Sequence, residues 1–237
     1  MPRFFVDTPL QQPGELVLPA GAARHVQVLR LQPGDVLTLF DGSGPEWRAE
    51  VTAMGRSEVR VNLIAAEQPA RELARVVTLA VVMPANDRMD FLVEKASELG
   101  AAVLQPLVSE RSVLRLAGER ADKKRSHWQG VAIAAAEQCG RTVPMRIEPV
   151  LSLPAWLGAL PAPAGDEWRG LLSPRAASPL AALAPSRALF LSGPEGGLSD
   201  AEEAAACARG FAAVTLGPRV LRADTAPLAV LSWLALS

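Results

Sequence analysis

Hydrophobic positions along this chain change their spacing near residue 75. Before that point the apolar residues alternate over short runs. DVLTLFD (35–41), EWRAEVTAM (46–54) and EVRVNLIAA (58–66) read as strands. DGSG and GRS, both turn-forming in composition, separate them. Short strands at such close spacing predict a small β-barrel or sandwich. AARHVQVLR (22–30) permits a short helix packed against it. EQPARELAR (67–75) is polar, contains Pro69 and reads as a linker, which divides the chain into a domain over 1–70 and another over 74–237.

Beyond the linker the pattern is that of α/β structure. VVTLAVVM (76–83) is a continuous apolar run, as expected for a strand covered on both faces. RMDFLVEKASELG (88–100) places Met89, Leu92, Val93, Ala96 and Leu99 on one helical stripe, with Gly100 where a C-terminal cap belongs. AAVLQPLV (101–108) is a further strand, in which Pro106 predicts an edge or an early end. A long helix is expected from Asp122 to Cys139, a strand over 145–151 and a short helix over 152–160. Strands at 167–173, 187–192 and 212–217 follow, with helices over 200–209 and from Thr225 onward, and one helical turn in the Pro-rich stretch 174–186. Alternating strands and helices predict a parallel sheet.

With 237 residues, almost half of them hydrophobic, the chain can bury a sizeable core. Its net charge of -1 advertises no polyanionic partner, so any nucleic-acid surface must be local. Cys139 and Cys207 lie far apart and His25 and His127 are isolated, which argues against a disulfide framework and leaves no metal site to expect. The N-terminus lacks the apolar core of a signal peptide, and the longest apolar stretch, 227–237, is too short to cross a bilayer. A cytoplasmic location, with no membrane association, is expected.

Two loops carry the candidate chemistry. In LFLSGPEGGLSDAEE (189–203) a strand runs into a turn with three glycines and a proline, and Ser199 with Glu202 forms an S-x-x-E helix start. Open α/β sheets bind ligands at this edge, and glycine allows close backbone approach. A phosphate loop is excluded, because there is no lysine and no G-x-G-x-x-G spacing. Asp200, Glu202 and Glu203 occupy the first helical turn and, with Glu195, disfavour a pyrophosphate. A neutral or cationic ligand is expected, for instance an adenosine bearing a sulfonium. The second loop, LGPRVLRADTAP (216–227), offers Arg219, Arg222 and Asp224, and Thr225 is placed to cap the last helix.

SGPEGGLSDAE followed by LGPRVLRADTA resembles the C-terminal signature of the bacterial RsmE family, SPOUT-class enzymes that methylate N3 of a uracil in small-subunit (16S) ribosomal RNA. MPRFFV, RHVQVLRLQPGD (24–35), DRMDFLVEKASELG (87–100), SERS (109–112) and EQCGR (137–141) stand in the expected order. The resemblance implies an N-terminal PUA-like β-barrel for RNA recognition and a C-terminal α/β methyltransferase domain with a trefoil knot. It also implies S-adenosylmethionine as cofactor and a homodimer. The chain departs from the family pattern at Ala223-Asp224-Thr225, where Thr-Glu-Thr is usual, at Ala85-Asn86, which lacks a lysine, and at Cys139, where serine is common.

On this resemblance, and from their place at strand ends, Leu191, Ser192, Gly193, Gly196, Leu216, Gly217 and Leu221 line the cofactor pocket, holding the ligand mainly by backbone groups. Arg222 stabilises a uracil anion or fixes the base. Glu195 orients a partner arginine or serves as base, with Asp224 the weaker candidate for base. The expected RNA contacts are Arg111, within the basic stretch 110–127, Arg141 after the long helix, and Arg3, Arg24 and Arg30 of the N-terminal domain, where acidic residues outnumber basic ones and binding must depend on placement. Competing readings are a non-catalytic RNA-binding module on the same scaffold, a nucleotide-dependent oxidoreductase, which lacks its fingerprint, and a serine hydrolase, which lacks its G-x-S-x-G elbow.

Overall fold

In the computed structural model, residues 1–56, 58–85, 88–181 and 185–236 are described. The chain divides into two modules. Met1–Glu72 and Ala136–Pro144 form the first, and Leu73–Ala135 with Met145–Ser237 the second. The short segment 136–144, far along the chain, therefore joins the N-terminal module, which a single cut in the linker does not anticipate.

The first module is built on β1 (Arg3–Phe5), β2 (Gly14–Val17), α1 (Ala20–Val28), β3 (Val36–Phe40), β4 (Glu46–Met54) and β5 (Val59–Glu67). Its sheet runs β1-β3-β4-β5-β2, antiparallel except for the β1–β3 pair. The alternation read from the sequence is the packing pattern. Trp47, Ala49 and Val51 of β4 and Val59, Val61 and Leu63 of β5 point into one core with Ala22, Ala23 and Val26 of α1. Register shifts at Arg48/Ala49 and Val51/Ala53 mark bulges, which bend and twist a strand pair. Of the expected GRS turn, Ser57 lies outside the described residues.

Polar ties hold the late segment to this module. Arg3 pairs with Glu46, donates to the carbonyls of Gly140 (3.0 Å) and Arg141 (3.3 Å), and lies over the Phe40 ring. Arg71 reaches the same carboxylate at 2.8 Å and the Gly140 carbonyl at 2.7 Å. Arg141 is buried against Glu72, with Nη2 to Oε2 at 2.6 Å. Glu137 accepts from the Phe5 amide at 2.8 Å. Burial works against the charge on Glu46, but the bonds and charges of Arg71 and Arg3 outweigh it and hold its carboxyl below the usual value.

The second module contains β6 (Val76–Val82), α2 (Arg88–Glu98), β7 (Val103–Val108), α3 (Gly118–Cys139, whose last turn belongs to the first module), β8 (Arg146–Ile147), β9 (Leu151–Ser152), α4 (Leu153–Ala159), β10 (Glu167–Leu172), β11 (Arg187–Ser192), α5 (Asp200–Ala208), β12 (Ala212–Val214) and α6 (Thr225–Ala235). The sheet is parallel throughout, in the order β12-β10-β11-β6-β7-β8, with β9 also on β7. From Leu79 to Met83 the run is buried on both faces, while Val76 at its start is exposed. Val77, Leu79, Val81 and Met83 pack with α2, α3 and α6, while Ala80 and Val82 pack with α4 and α5. Met89, Leu92, Val93 and Ala96 of the expected α2 stripe are buried, Leu99 just past the helix end is partly buried, and Gly100, at φ +93°, closes the helix. Asp90 ties α2 to α3, accepting from Trp128 at 2.9 Å and bonding His127 at 2.7 Å.

Pro106 is not at an edge. The Leu104 carbonyl accepts from Glu148 on the β8 side, and the period of two puts position 106 on that same flank. There the neighbouring strand is broken between β8 and β9, so the missing N–H falls in a gap of the ladder. That break is also why 145–151 is not one strand. Part of the stretch expected to hold a helical turn, 182–184, lies outside the described residues, and α3 begins four residues before the expected Asp122.

Glu46 gives a testable consequence. Its folded-state value is depressed, so its contribution to stability is present above its ordinary value of 4.5 and is lost as pH falls through the folded value. Glu46→Gln, which leaves Arg3 and Arg71 without their carboxylate, is expected to cost about 1–3 kcal/mol at pH 7. It should also flatten the acid limb of the stability–pH curve, measured by denaturant unfolding of the N-terminal module signal.

Candidate functional site

β12, β10 and β11 are neighbours, and the ladder sets Leu172 opposite both Ser192 and Val214. Three strands thus end at one level, and the loops that follow them lie side by side. They enclose a cleft of about 510 Å³.

The glycine turn is the first wall. Gly193 follows β11, and a Cβ there would stand 3.1 Å from Leu198 Cγ and 3.2 Å from the Leu198 amide nitrogen. Pro194–Gly197 is a tight turn closed by Gly197 N–H to Pro194 O at 2.8 Å, with Gly197 at φ +67°. The turn then enters α5 through the complete capping box of Ser199 and Glu202 that the sequence predicts. Glu195, at the apex, accepts from the Ala85 amide at 3.0 Å. Asn86 and Asp87, which belong to the next motif, lie outside the described residues.

The second wall is the loop after β12. Thr215 Oγ1 donates to the Gly217 carbonyl at 3.0 Å, and the Arg222 carbonyl accepts from the amides of Thr225 and Ala226. Thr225 is the first residue of α6 and does not cap it. Asp224 holds the cap position, without a side-chain cap bond, because its backbone is already α-helical. Its Oδ1 is buried without a hydrogen bond, and Arg88 Nη1 stands 4.0 Å from it. Ala223 is buried where the family's threonine stands.

The third wall, Ser173-Pro174-Arg175 after β10, is one that sequence reasoning missed. Ser173 Oγ donates to Glu203 Oε1 at 3.1 Å, and Arg175 pairs with Asp200 at 2.6 Å and Glu203 at 3.0 Å. The acidic first turn of α5 is thereby largely taken up within the protein. Four arginines (111, 175, 219 and 222) and two glutamates (195 and 203) line the cleft. The expected acidic repulsion of anions is therefore not a property of the cleft.

Of the residues expected around the cofactor, Ser192, Gly193, Gly196, Leu216 and Leu221 line the cleft, as do Glu195 and Arg222. Leu191 does not, because its side chain is fully buried in the core beneath α4 and α5. Gly217 is outside the lining and instead closes its loop through Thr215. The amides of Glu195, Gly196, Leu216, Val220 and Leu221 find no acceptor among the described residues. All five belong to residues that line the cleft, so these amides are left to water or to a ligand, with no side-chain bulk at Gly196. That donor set fits a ligand held by peptide groups.

The expected RNA contacts separate into three classes. Arg24 and Arg30 are exposed on and just after α1, Arg30 in a left-handed conformation at φ +56°. Arg3 and Arg141 are instead internal ties of the N-terminal module, and Arg141 is buried with its guanidinium on Glu72. Their carboxylate partners lie far along the chain, so local sequence gives no sign of the pairing. Arg111 lines the cleft, with Nη1 donating to the Gly196 carbonyl at 3.0 Å.

Residues 71–235 match the model of an RNA methyltransferase domain, and residues 18–64 that of an RNA methyltransferase PUA domain. The chain is 31% identical to Ribosomal RNA small subunit methyltransferase E of Bacillus subtilis, over 98% of this chain and 95% of that one. The Synechocystis protein of the same name is 35% identical over 87% of this chain and 67% of its own. The chain belongs to the RsmE family. Among solved structures, an RsmE from Neisseria gonorrhoeae bound to S-adenosyl methionine superposes with a TM-score of 0.90 at 36% identity, covering 98% of this chain and 96% of that one. A Legionella pneumophila methyltransferase in complex with the same cofactor gives 0.90 at 31% identity, over 99% and 96%.

The tight fit at Gly193 is open to measurement. A methyl group there meets a backbone nitrogen that α5 holds in place, so Gly193→Ala is expected to lower the melting temperature by several degrees, as about 1–2 kcal/mol of overpacking does. Thermal unfolding followed by circular dichroism checks this.

Proposed function

We propose that this protein transfers the methyl group of S-adenosylmethionine to N3 of a uridine in small-subunit (16S) ribosomal RNA. The observation that carries the reading is the cleft at the ends of β10, β11 and β12, with its unpaired amides, in a chain of the RsmE family. Bound there, the cofactor supplies an electrophilic methyl on a sulfonium. The peptide groups of the glycine turn and of 216–221 hold and orient it, and Leu216 and Leu221 exclude water from it.

Uracil N3 carries a proton and is a poor nucleophile until that proton leaves. As N3 bonds to the methyl carbon, the carbon–sulfur bond breaks and the N3 proton passes to a base. Arg222 lines the cleft and its guanidinium pairs with no described residue, so it is available to stabilise the uracil anion. Between the two carboxylates considered as base, Glu195 lines the cleft and Asp224 does not. The tie from the Ala85 amide fixes Glu195 in place and leaves its second oxygen for the proton. The target base must leave its stack to reach this site. Exposed Arg24 and Arg30, and the basic stretch at the start of α3, are the phosphate contacts of this reading.

A homodimer and the family's C-terminal knot belong to the same reading. Support for the dimer comes from α6, TAPLAVLSWLA, which is apolar nearly all round. Such a helix is expected to be covered. Here Leu228 and Trp233 are only partly buried, Leu236 is exposed, Ser232 bonds back to the Leu228 carbonyl, and Phe91 on the adjoining α2 is half-exposed.

Arg222→Ala is expected to slow transfer by about 10²–10³-fold while cofactor affinity, by calorimetry, stays within a few-fold. Unchanged turnover would refute the role given to Arg222. Labelled-methyl transfer to small subunits from a strain lacking its own enzyme should yield N3-methyluridine on nucleoside analysis, and any other methylated nucleoside overturns the N3 assignment. Light scattering should give twice the 25.1 kDa chain mass. Phe91→Asp, a charge placed in an apolar contact, should shift the protein toward monomer.

A further inference from the structure

The loop after β7 carries Ser109-Glu110-Arg111-Ser112, whose arginine the sequence assigns to RNA. Its geometry assigns it elsewhere. The loop is folded on itself: the Ser109 amide donates to Ser112 Oγ at 2.8 Å, the Ser112 amide to the Ser109 carbonyl at 3.3 Å, and both serines are buried. Two adjacent residues of this loop then reach across, one to the first turn of α5 and one to the glycine turn. Glu110 donates its amide to Glu202 Oε1 at 2.8 Å, while the other oxygen of that carboxylate accepts from the Ser199 amide at 2.9 Å. One glutamate thus caps α5 and pins the loop. Arg111 donates through Nη1 to the Gly196 carbonyl at 3.0 Å and, more weakly, to that of Leu198 at 3.5 Å.

The Arg111 stem lies along Gly196 at ordinary packing distance. A Cβ there would stand 3.4 Å from Arg111 Cβ and 3.6 Å from its Cδ. The Gly196–Gly197 peptide is consequently held from both ends. Its carbonyl accepts from Arg111 and its N–H donates to the Pro194 carbonyl, and in a trans peptide those two groups point in opposite directions. Once that plane is fixed, the rotations at Glu195 and Gly196 are restricted, and these are the amides that lack a protein acceptor beside the cleft.

We propose, resting on the reading of the cleft as the cofactor site, that Arg111 is a positioning residue. It sets the glycine turn in its cofactor-binding shape from the neighbouring loop and does not contact RNA phosphate. The loop after β7 thereby becomes a fourth part of the methyl-donor site, although it offers the ligand no group of its own in this role.

The test uses the full chain with Arg111→Ala and Arg111→Lys. Three quantities are measured: S-adenosylmethionine affinity by calorimetry without RNA, affinity for small-subunit RNA across a salt series, and hydrogen exchange at the Gly197 amide. For Arg111→Ala the cofactor dissociation constant should rise about tenfold or more, the loss expected for a charge-assisted bond, and the Gly197 amide should exchange about tenfold faster. Arg111→Lys, which keeps a donor and the apolar stem, should recover part of both. RNA affinity and its salt slope should stay as in the unsubstituted protein. Cofactor affinity and Gly197 exchange left unchanged, with the salt slope reduced by about one, would make Arg111 a phosphate contact and overturn the assignment. A loss of RNA affinity alongside cofactor affinity also counts against it. If the unsubstituted protein binds no cofactor, the cleft reading fails, and Gly197 exchange still decides whether Arg111 holds the turn.

Discussion

Parallel pairing across β12, β10 and β11 is the constraint from which the site follows. Because Leu172 faces both Ser192 and Val214, the three strands stop in one row. A parallel sheet cannot turn back on itself with a hairpin, so each strand must be left by a loop that climbs into a helix or crossover. Three such exits at one height, side by side, leave a row of peptide groups past the last rungs of the ladder. Several of those groups have no acceptor among the described residues and are left to water or to a ligand. The cleft is therefore a by-product of the strand register before any side chain is considered. Glycine at 193, 196 and 197 leaves that part of its wall as bare backbone.

Charge is distributed over that backbone frame in two layers. Arg175 is spent on Asp200 and Glu203, and Arg111 on the carbonyls of the glycine turn, so both serve the frame. Arg219 and Arg222 pair with no described residue and stand on the loop whose Val220 is 81% exposed. Arginines of one cleft thus split into those that build it and those left for what enters it. Residue type does not make that distinction. Only the partners do.

The same distinction explains what was legible in the sequence. Periodicity is a local property, so the two-faced burial within 76–83, the α2 stripe and the Ser199–Glu202 cap could be read directly. β1 and β2, at three and four residues, are too short to show an alternation. Pro106 misled because its tolerance depends on a gap between β8 and β9 on a neighbouring strand. Arg3 and Arg141 misled for the same reason: the carboxylates that take them, Glu46 and Glu72, are 43 and 69 residues away. The wall at 173–175 has no glycine and no motif, and it became part of the site only through the place of β10 between β11 and β12.

On the proposed reading, the balance between peptide groups and carboxylates in the cleft also has kinetic meaning. Methyl transfer removes positive charge from the donor as the bond to sulfur breaks. A carboxylate set directly against that charge would stabilise the ground state more than the transition state and so raise the barrier. Amide dipoles do this far less, because they bind the rest of the ligand without following the charge. The acidic residues near the turn are arranged accordingly. Asp200 and Glu203 face Arg175 and Glu202 is consumed by two backbone amides, while Glu195, tied through one oxygen to the Ala85 amide, keeps the other for the N3 proton. Electrostatic work is then left to a guanidinium acting on the nucleophile, where negative charge appears as N3 loses its proton. A frame of neutral donors for the cation and a cation for the developing anion is the arrangement that lowers the barrier on both sides of the new bond.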